Sequence, residues 1–552
     1  MKLIDVGKLK VSPFVFDSII EMRIEKRLNE HETLYVCGII KDKLQDSPVY
    51  DMTDGTNIKC ENDGKVYFSG VLQSVKITSV EDIFRLEAYA VSNTILIDTV
   101  KHKRSFQDEG QTYQDIVEKV IADNGQKGTV TYNADAKTVE NIILQYNETD
   151  WELARRLASH TEDVLIPITA DNPSFHFGAT DEGGAEIETN NFAVSKEFRR
   201  FLVGDDDPQK VAEIAKFTVV TDEYLCGLGE KFSLNGTDLR VCHMLITYID
   251  SALTIAYTLT AKDCIDTHKY FNHAITGLVL DGKVTEVKDD TLKLDLADSS
   301  IRGVEKVPDD KLKRGVEEDT GERHFFTYAT GYSMEKHTGW YVMPEVDDIV
   351  QLLFPREDEK FAYAISSLRQ EQTDRTGDYL VKYLRTSFGK EIKFDKNEIL
   401  ISALDDTTFI RINEDEQIGI EVITPHPILI RSVESTINIE SEDDMTITTE
   451  KNLYIEAKES IEMVCKGNVM KFIPSDGIAF STDKRYEVLS DENMTHDCRK
   501  EMGLKSGKDM KLDCGDKLIE SAQKKIEVSC SGSSIIMQSK GIDVKGKEIK
   551  QN

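Results

Sequence analysis

From residue 437 the chain reads INIESEDD, MTITTEKN, LYIEAKES, IEMVCKGN, and this eight-residue register runs almost to its end. The first and third positions are apolar: Ile437 and Ile439, Met445 and Ile447, Leu453 and Ile455, Ile461 and Met463. The second and fourth are mostly polar, which is the period of a strand with one buried face. The remaining half of each unit, SEDD, TEKN, AKES or CKGN, is rich in turn residues. Each octad therefore predicts one short strand and one turn. After Val469 the segment IPSDG inserts one residue, and the pattern resumes at Ile478/Phe480, Tyr486/Val488, Met494/His496, Met502/Leu504, Met510/Leu512 and Leu518. It continues through Ile526/Val528, Ile536 and Ile542/Val544, giving about fourteen units of one solenoid-like object.

Two apolar residues per octad are too few for one chain to wrap a core, since a single-chain coil of a β-solenoid takes about twenty residues. Three chains, each giving one strand per layer, would close the circle, so the repeat predicts an intertwined homotrimeric β-prism with a dry axis and an acidic outside. The fifth position is small throughout (Ser441, Thr449, Ala457, Cys465, Thr482, Ser490, Cys498, Ser506, Cys514, Ala522, Cys530), as expected where the strand meets a crowded bend. Four of the nine cysteines are thereby read as small core residues rather than metal ligands or disulfides. His496 breaks the apolar rule at an inward position. It reads either as a histidine in a hydrogen-bonded polar layer or as a candidate axial ion ligand, three copies meeting on the threefold axis.

The chain has 552 residues, too many for one core, and its 11 prolines and 33 glycines are too few for a disordered or collagen-like chain. A net charge of −32 repels phosphate backbones and anionic membranes, leaving other proteins as the expected partners and nucleic acid as none. Neither an apolar signal region after Lys2 nor a run of eighteen apolar residues occurs, so synthesis in the cytosol without a signal peptide is expected. The nine cysteines contain no CxxC pair.

Ahead of the repeat the fold class reads as mainly β with a minor α component. Residues 1–272 predict two β-barrel-like units with an α/β insertion at about 105–200, 273–370 another β unit, and 371–436 a transitional β segment closed by Pro425 and Pro427. TYQDIVEKVIADNG predicts a helix after Thr112, with Asp115 three residues on, Ile116, Val117, Val120 and Ile121 on one face, and a stop at Asn124 and Gly125. TDWELARRLASH predicts a second, with Thr149 and Glu152 as a capping box and Trp151, Ala154, Leu157 and Ala158 on its apolar side.

These segments resemble the hub-and-spike proteins of contractile injection machines, the VgrG proteins of type VI secretion and the baseplate spikes of contractile phage tails. SFQDEGQTYQDIVEKVI (105–121) is similar to the segment before the family's first hub helix, and LQYNETDWELARRLASHTEDVLI (144–166), with Tyr146, Trp151 and Leu157, to its hub motif. TGWYVMPEVDDIVQLLFP (338–355), with Trp340, Met343, Pro344 and Glu345, resembles the family's OB-fold strand pair. Asp347 departs from the glycine usual in that turn, and the spike lacks Val-Gly dipeptides. The resemblance implies a trimeric hub docking on a sixfold tube, an OB-fold collar over 273–370 and a spike over 437–552. It also implies baseplate and inner-tube proteins, a PAAR-like tip or effector proteins, and the target envelope as partners, with outward delivery on contraction. No cofactor is expected apart from the candidate axial ion at His496.

Catalytic motifs are missing: no GxSxG, HExxH or GxxxxGK[ST] occurs, and His426 between two prolines reads as part of a stiff connector. A non-enzymatic part is therefore expected. The alternative is a trimeric tail-fibre hydrolase with a β-helical body, but 437–552 has no Trp to line a sugar groove.

The octad register makes one sharp prediction. Met445→Asp should strip the trimer of its heat resistance in detergent, because three carboxylates would meet in an apolar axis, whereas the outward Thr446→Asp should be nearly neutral. Equal behaviour of the two variants would rule out the register.

Overall fold

The computed structural model describes residues 9–40, 52–53, 55–125, 128–181, 183–201, 210–262, 265, 269–297, 317–318, 321–334, 338–369, 377–404, 407–466, 468–475 and 477–550. The N-terminal residues read above for a signal region, 1–8, lie outside this set. The chain divides into two units, Met1–Pro427 and Ile428–Asn552.

In the first unit the two β pieces expected in residues 1–272 are halves of one 12-stranded sheet. Its first half runs Leu9–Ser12, Asn57–Asn62, Lys65–Val80, Ile83–Ser92, Thr33–Ile40, Phe16–Arg27; its second runs Thr237–Ile249, Ala252–Thr260, Lys210–Thr221, Phe192–Phe201. The seam is the antiparallel pairing of Phe16–Arg27 with Thr237–Ile249, in which Ile24 faces Ile246. Alternation along these strands sends Met22, Ile24, Leu34 and Val36 from one half, and Met244, Ile246, Tyr257 and Leu259 from the other, into one shared core.

The α/β insertion occupies 101–177 rather than about 105–200, because Ala185–Ile187 and Phe192–Phe201 join the large sheet. It holds helices α1 (Tyr113–Asp123) and α2 (Asp150–His160), both opened by full capping boxes, Thr112 with Asp115 and Thr149 with Glu152. α1 is followed by Asn124 and by Gly125 at φ +76°. Ile116, Val117, Val120 and Ile121 of α1 pack against Trp151, Ala154, Leu157 and Ala158 of α2 and against Phe175 and Phe177.

Residues 278–368 build a five-stranded antiparallel sheet, ordered Phe325–Thr327, Thr291–Asp295, Leu278–Lys288, Ile349–Phe354, Tyr363–Leu368. Its core takes in Ile142 and Leu144, which tie it to the α/β module. The segment 371–436 is better organised than a transition: Lys382–Arg385, Glu391–Phe394, Glu398–Leu404, Thr408–Asn413 and Ile420–Ile423 form a five-stranded antiparallel meander.

In the second unit the octads show as extended stretches broken by bends at 442–443, 450–451 and 458–459, then at 483–484, 491–492, 499–500, 507–508, 515–516 and 523–524, eight residues apart in each run. Among the described residues no strand is formed within the chain from 424 to 460 or from 482 to 524. The expected strand half of those octads thus lacks a ladder partner in one chain. The exceptions are two three-stranded antiparallel meanders, Ile461–Cys465 with Asn468–Ile473 and Gly477–Ser481, and Lys525–Cys530 with Ser533–Gln538 and Gly541–Lys545. The irregularity around IPSDG, read as a one-residue slip, is an added strand: Met470 pairs with Met463 and Phe480, and Phe472 with Ile461 and Ile478. Ile536 is corrected as well. It pairs with Glu527 and Asp543, so the face of Ile526, Val528, Ile542 and Val544 is completed by Ile535 and Met537.

The fifth-position residues have a role beyond small size. Ser441, Ser490, Cys498 and Ser506 donate across the bend to the carbonyl three residues on, at 2.8–3.5 Å. A short side chain with a polar hydrogen fastens the turn.

Asp347 sits third in the Glu345–Asp348 turn, closed by Asp348 N–H to Glu345 O at 3.1 Å, and its φ is +77°. A type II turn demands that value, which explains why glycine suits the position. In urea unfolding, Asp347→Gly should be at least as stable as the parent and Asp347→Val less stable than the glycine variant by roughly 1–2 kcal/mol. Indifference to the choice of Val or Gly would contradict this backbone.

Candidate functional site: the Arg156 junction and the open apolar faces

The stretch 144–160 is a junction in which nearly every polar residue has a packing task. Asn147 takes φ +52°, beside the irregular register that pairs His102 with Glu148 and Lys103 with Tyr146. The Tyr146 ring, half-buried, lies 4.9 Å from Lys103 Nζ, and its carbonyl accepts from Asn272 Nδ2 at 3.0 Å. Asp150, fully buried at the first turn of α2, accepts from Arg104 Nη1 (2.7 Å), Gln145 Nε2 (3.0 Å) and Asn124 Nδ2 (2.6 Å). A negative charge at a helix N-terminus with three donors is stabilised rather than stranded. Trp151 is 2% exposed and packs against Phe175 at 5.4 Å and His31 at 4.7 Å, while Leu157 is fully buried.

Arg156 makes the deepest connection. Its guanidinium donates to both Glu148 oxygens at 2.8–2.9 Å, to Glu359 Oε1 at 2.8 Å and to Leu144 O at 3.1 Å. Leu144 N–H also donates to Glu359 Oε1, at 3.3 Å. Glu359 belongs to the five-stranded module, so this cluster pins that module to α2 across 203 residues of sequence. Burial works against the Arg156 charge, but the two carboxylates outweigh it and hold its pKa above the ordinary value. At Glu359 burial wins, and its pKa lies above the usual carboxylate range despite Arg156.

The expected OB-motif residues lie at the edge of that module. Trp340 is 71% exposed, Pro344 is buried, Met343 is half-buried against the core, and Glu345 accepts from Ser387 Oγ at 2.9 Å. Tyr341, also exposed, donates to Asp289 O at 2.6 Å. Trp340, Tyr341 and Glu345 thus face outward and Met343 and Pro344 turn to the core, while the strand that follows, Ile349–Phe354, buries Val350, Leu352 and Phe354 in it.

All the expected trimer-core positions are open in a single chain. Ile437, Met445, Leu453 and Ile455 are 49–57% exposed, and Ile439 and Ile447 reach 71%. The same holds for Met463, Ile478, Phe480, Met494, Met502, Leu504, Met510, Leu512, Leu518, Val528, Ile542 and Val544; Ile461 and Ile526 are half-exposed. Cys465, Cys498, Cys514 and Cys530 are exposed too, so one chain does not supply the burial expected of them. His496 stands exposed on an extended stretch between bends, and among the described residues no cluster of three or more His, Cys, Asp or Glu is arranged for a metal.

Thr94, His31 and Asp98 form a hydroxyl–imidazole–carboxylate chain, with 2.7 Å from Thr94 Oγ1 to His31 Nδ1 and 3.0 Å from His31 Nε2 to Asp98 Oδ2. Thr94 is 1% exposed and also bonded to Ser92 Oγ, so its hydroxyl is a packing anchor that no substrate meets.

No family model matches the sequence, and no curated protein matches it. The fold is similar to several solved structures at low identity. One is the E. coli c3393 protein, a type VI secretion component with structural similarity to the T4 bacteriophage tail proteins gp27 and gp5. It is 13% identical over 66% of this chain and 100% of that one, with a TM-score of 0.43. A chain of the Francisella PdpA-VgrG complex is 8% identical over 75% of this chain and 87% of that one, TM-score 0.45. The 43 kDa tail protein of prophage MuSo2 from Shewanella oneidensis is 14% identical over 47% and 98%, TM-score 0.38. The architecture itself is mostly β, with two α-helices among the described residues.

The Arg156 cluster yields a paired prediction. Arg156→Met leaves two buried carboxylates facing each other and should cost about 3–5 kcal/mol in denaturant unfolding. Glu359→Gln keeps the oxygen that accepts from Arg156 and Leu144 and should be neutral or stabilising. A raised carboxyl pKa means that the charge disfavours the fold above the ordinary carboxylate range. The advantage of Glu359→Gln over the parent should therefore grow as pH rises through that range and vanish below it. A loss for Glu359→Gln comparable to that for Arg156→Met would refute this assignment.

Proposed function

We propose that this chain is the homotrimeric hub and central spike of a contractile injection machine, a mechanical part rather than an enzyme. Residues 1–272 form the hub that meets a sixfold tube, 273–370 an OB-fold collar, and 437–552 the threefold spike that is driven into a target envelope and carries tip or effector proteins. The observation that carries this reading is the regular apolar stripe from Ile437 to Val544, open in a single chain and set on backbone that mostly has no ladder within that chain. Such a stripe is stable only when other copies cover its side chains and pair its N–H and C=O groups. The likeness of 144–166 and 338–355 to hub and collar motifs supports the same reading. Burying one Ile, Leu or Met contributes roughly 1.5–3 kcal/mol, and threefold symmetry repeats each gain in every layer. The spike is thereby stiff and slow to unfold.

The test is the mass of the full-length protein at micromolar concentration by light scattering. Three times the chain mass is expected; a monomer would remove the basis of the proposal.

A further inference from the structure

A cleft of about 440 Å³ in the first unit lies where the seam between the two sheet halves ends, at the pairing of Arg27 with His243. There the strand Thr237–Ile249 shifts register against Ala252–Thr260 between Val241 and His243, so that Cys242 is an extra residue. Such bulges re-aim side chains and concentrate beside functional sites. The walls come from both sheet halves, from α2 and from the segments that follow it.

Two parts of the wall are tied down. Asn29 N–H donates to Leu165 O at 2.8 Å and Asn29 Oδ1 accepts from Leu165 N–H at 2.8 Å, which fixes the turn that carries Leu28 and Glu30. Tyr270 is held to the end of α2, its N–H donating to Ser159 Oγ at 2.9 Å and its carbonyl accepting from His160 Nε2 at 2.8 Å. A site fastened in this way is formed before its ligand arrives.

The lining has three permanent cations, Arg27, Arg155 and Lys216, against one carboxylate, Glu30, in a chain whose net charge is −32. Two of the cations are anchored by carboxylates outside the lining: Glu25 accepts from Arg27 Nε and Nη2 at 3.0 and 2.6 Å, and Glu197 from Lys216 Nζ at 2.7 Å. Arg155 differs. It is half-buried on α2, its guanidinium stands 5.5 Å from the Tyr270 ring centroid, and it forms no ion pair among the described residues. Asp98 feels its charge but is already engaged by His31 and Thr149. A half-buried guanidinium over an aromatic face, with its donors uncommitted to a carboxylate, is suited to receive an anion.

We propose that this cleft binds a small organic anion, a carboxylate or phosphate on an apolar body, with Arg155 and Lys216 on the charge and the Tyr270 ring, Leu28, Val164 and Ile214 on the rest. The volume falls within the range of small-molecule sites, roughly 300–1,000 Å³, and exceeds what an inorganic ion fills. The site is built from the first unit alone and does not depend on the trimeric reading of the octads.

The experiment titrates the full-length protein with benzoate and with phenyl phosphate by ligand-observed NMR, with inorganic phosphate as the charge-only control and benzyl alcohol as the apolar-only control. Expected is millimolar or tighter binding of at least one aromatic anion, about tenfold tighter than either control, and a loss of about tenfold in Arg155→Met that Arg155→Lys partly restores. Lys216→Met should show a loss of the same kind, and serves alone if Arg155→Met does not melt like the parent. Affinity for inorganic phosphate equal to that for phenyl phosphate means an adventitious ion only and overturns the proposal. So does binding that survives both methionine variants, or no binding of either aromatic anion at millimolar concentration.

Discussion

An extended segment that leaves its backbone groups unpaired and its apolar side chains in water pays twice, and the octads at 437–460 and 482–524 do both in a single chain. Each peptide unit there has a donor and an acceptor with no ladder partner within the chain, and each unit exposes two apolar side chains. Helices would meet the first demand locally, but a period of eight with polar second and fourth positions does not suit a 3.6-residue turn. Intermolecular pairing, as proposed above, would meet both demands at once. In the proposed trimer the N-terminal unit would hold the copies together.

The first unit solves a different problem, how to weld dissimilar modules into one body. It does so with buried polar groups whose partners lie on other modules: Arg156 between α2 and Glu359, Asn272 on the Tyr146 carbonyl, His31 and Asp98 around Trp151 and Thr149. The Thr149 hydroxyl caps α2 and also donates to Asp98, and with the His31 contact it holds that carboxyl below its usual pKa although burial alone would raise it. Such contacts have demanding geometry, so a displaced module would leave charges unpaired in a dry interior. That penalty makes the junction specific as well as stable.

The meander of 382–423 combines the two solutions. Its charges close within the chain, as in the rest of the first unit, while one row of apolar side chains stays open, as in the octads. The two small meanders of the second unit, Ile461–Cys465 with Asn468–Ile473 and Gly477–Ser481, and Lys525–Cys530 with Ser533–Gln538 and Gly541–Lys545, repeat this design, each with its strands paired within the chain and one apolar face uncovered.

What was legible in the sequence is what depends on near neighbours. The octad period, both capping boxes and the buried faces of α1 and α2 all follow from residues within one turn or one strand of each other. The sequence alone therefore determined a mainly β chain with two capped helices and a stripe in search of partners. It did not show that the two barrel-like pieces share one sheet, that Arg156 and Glu359 meet, that an added strand lies behind IPSDG, or that Ile535 rather than Ile536 shares a face with Ile526. Those depend on which strand pairs with which and in what register. A shift of one residue exchanges the two faces of a strand, and no local pattern records a partner two hundred residues away.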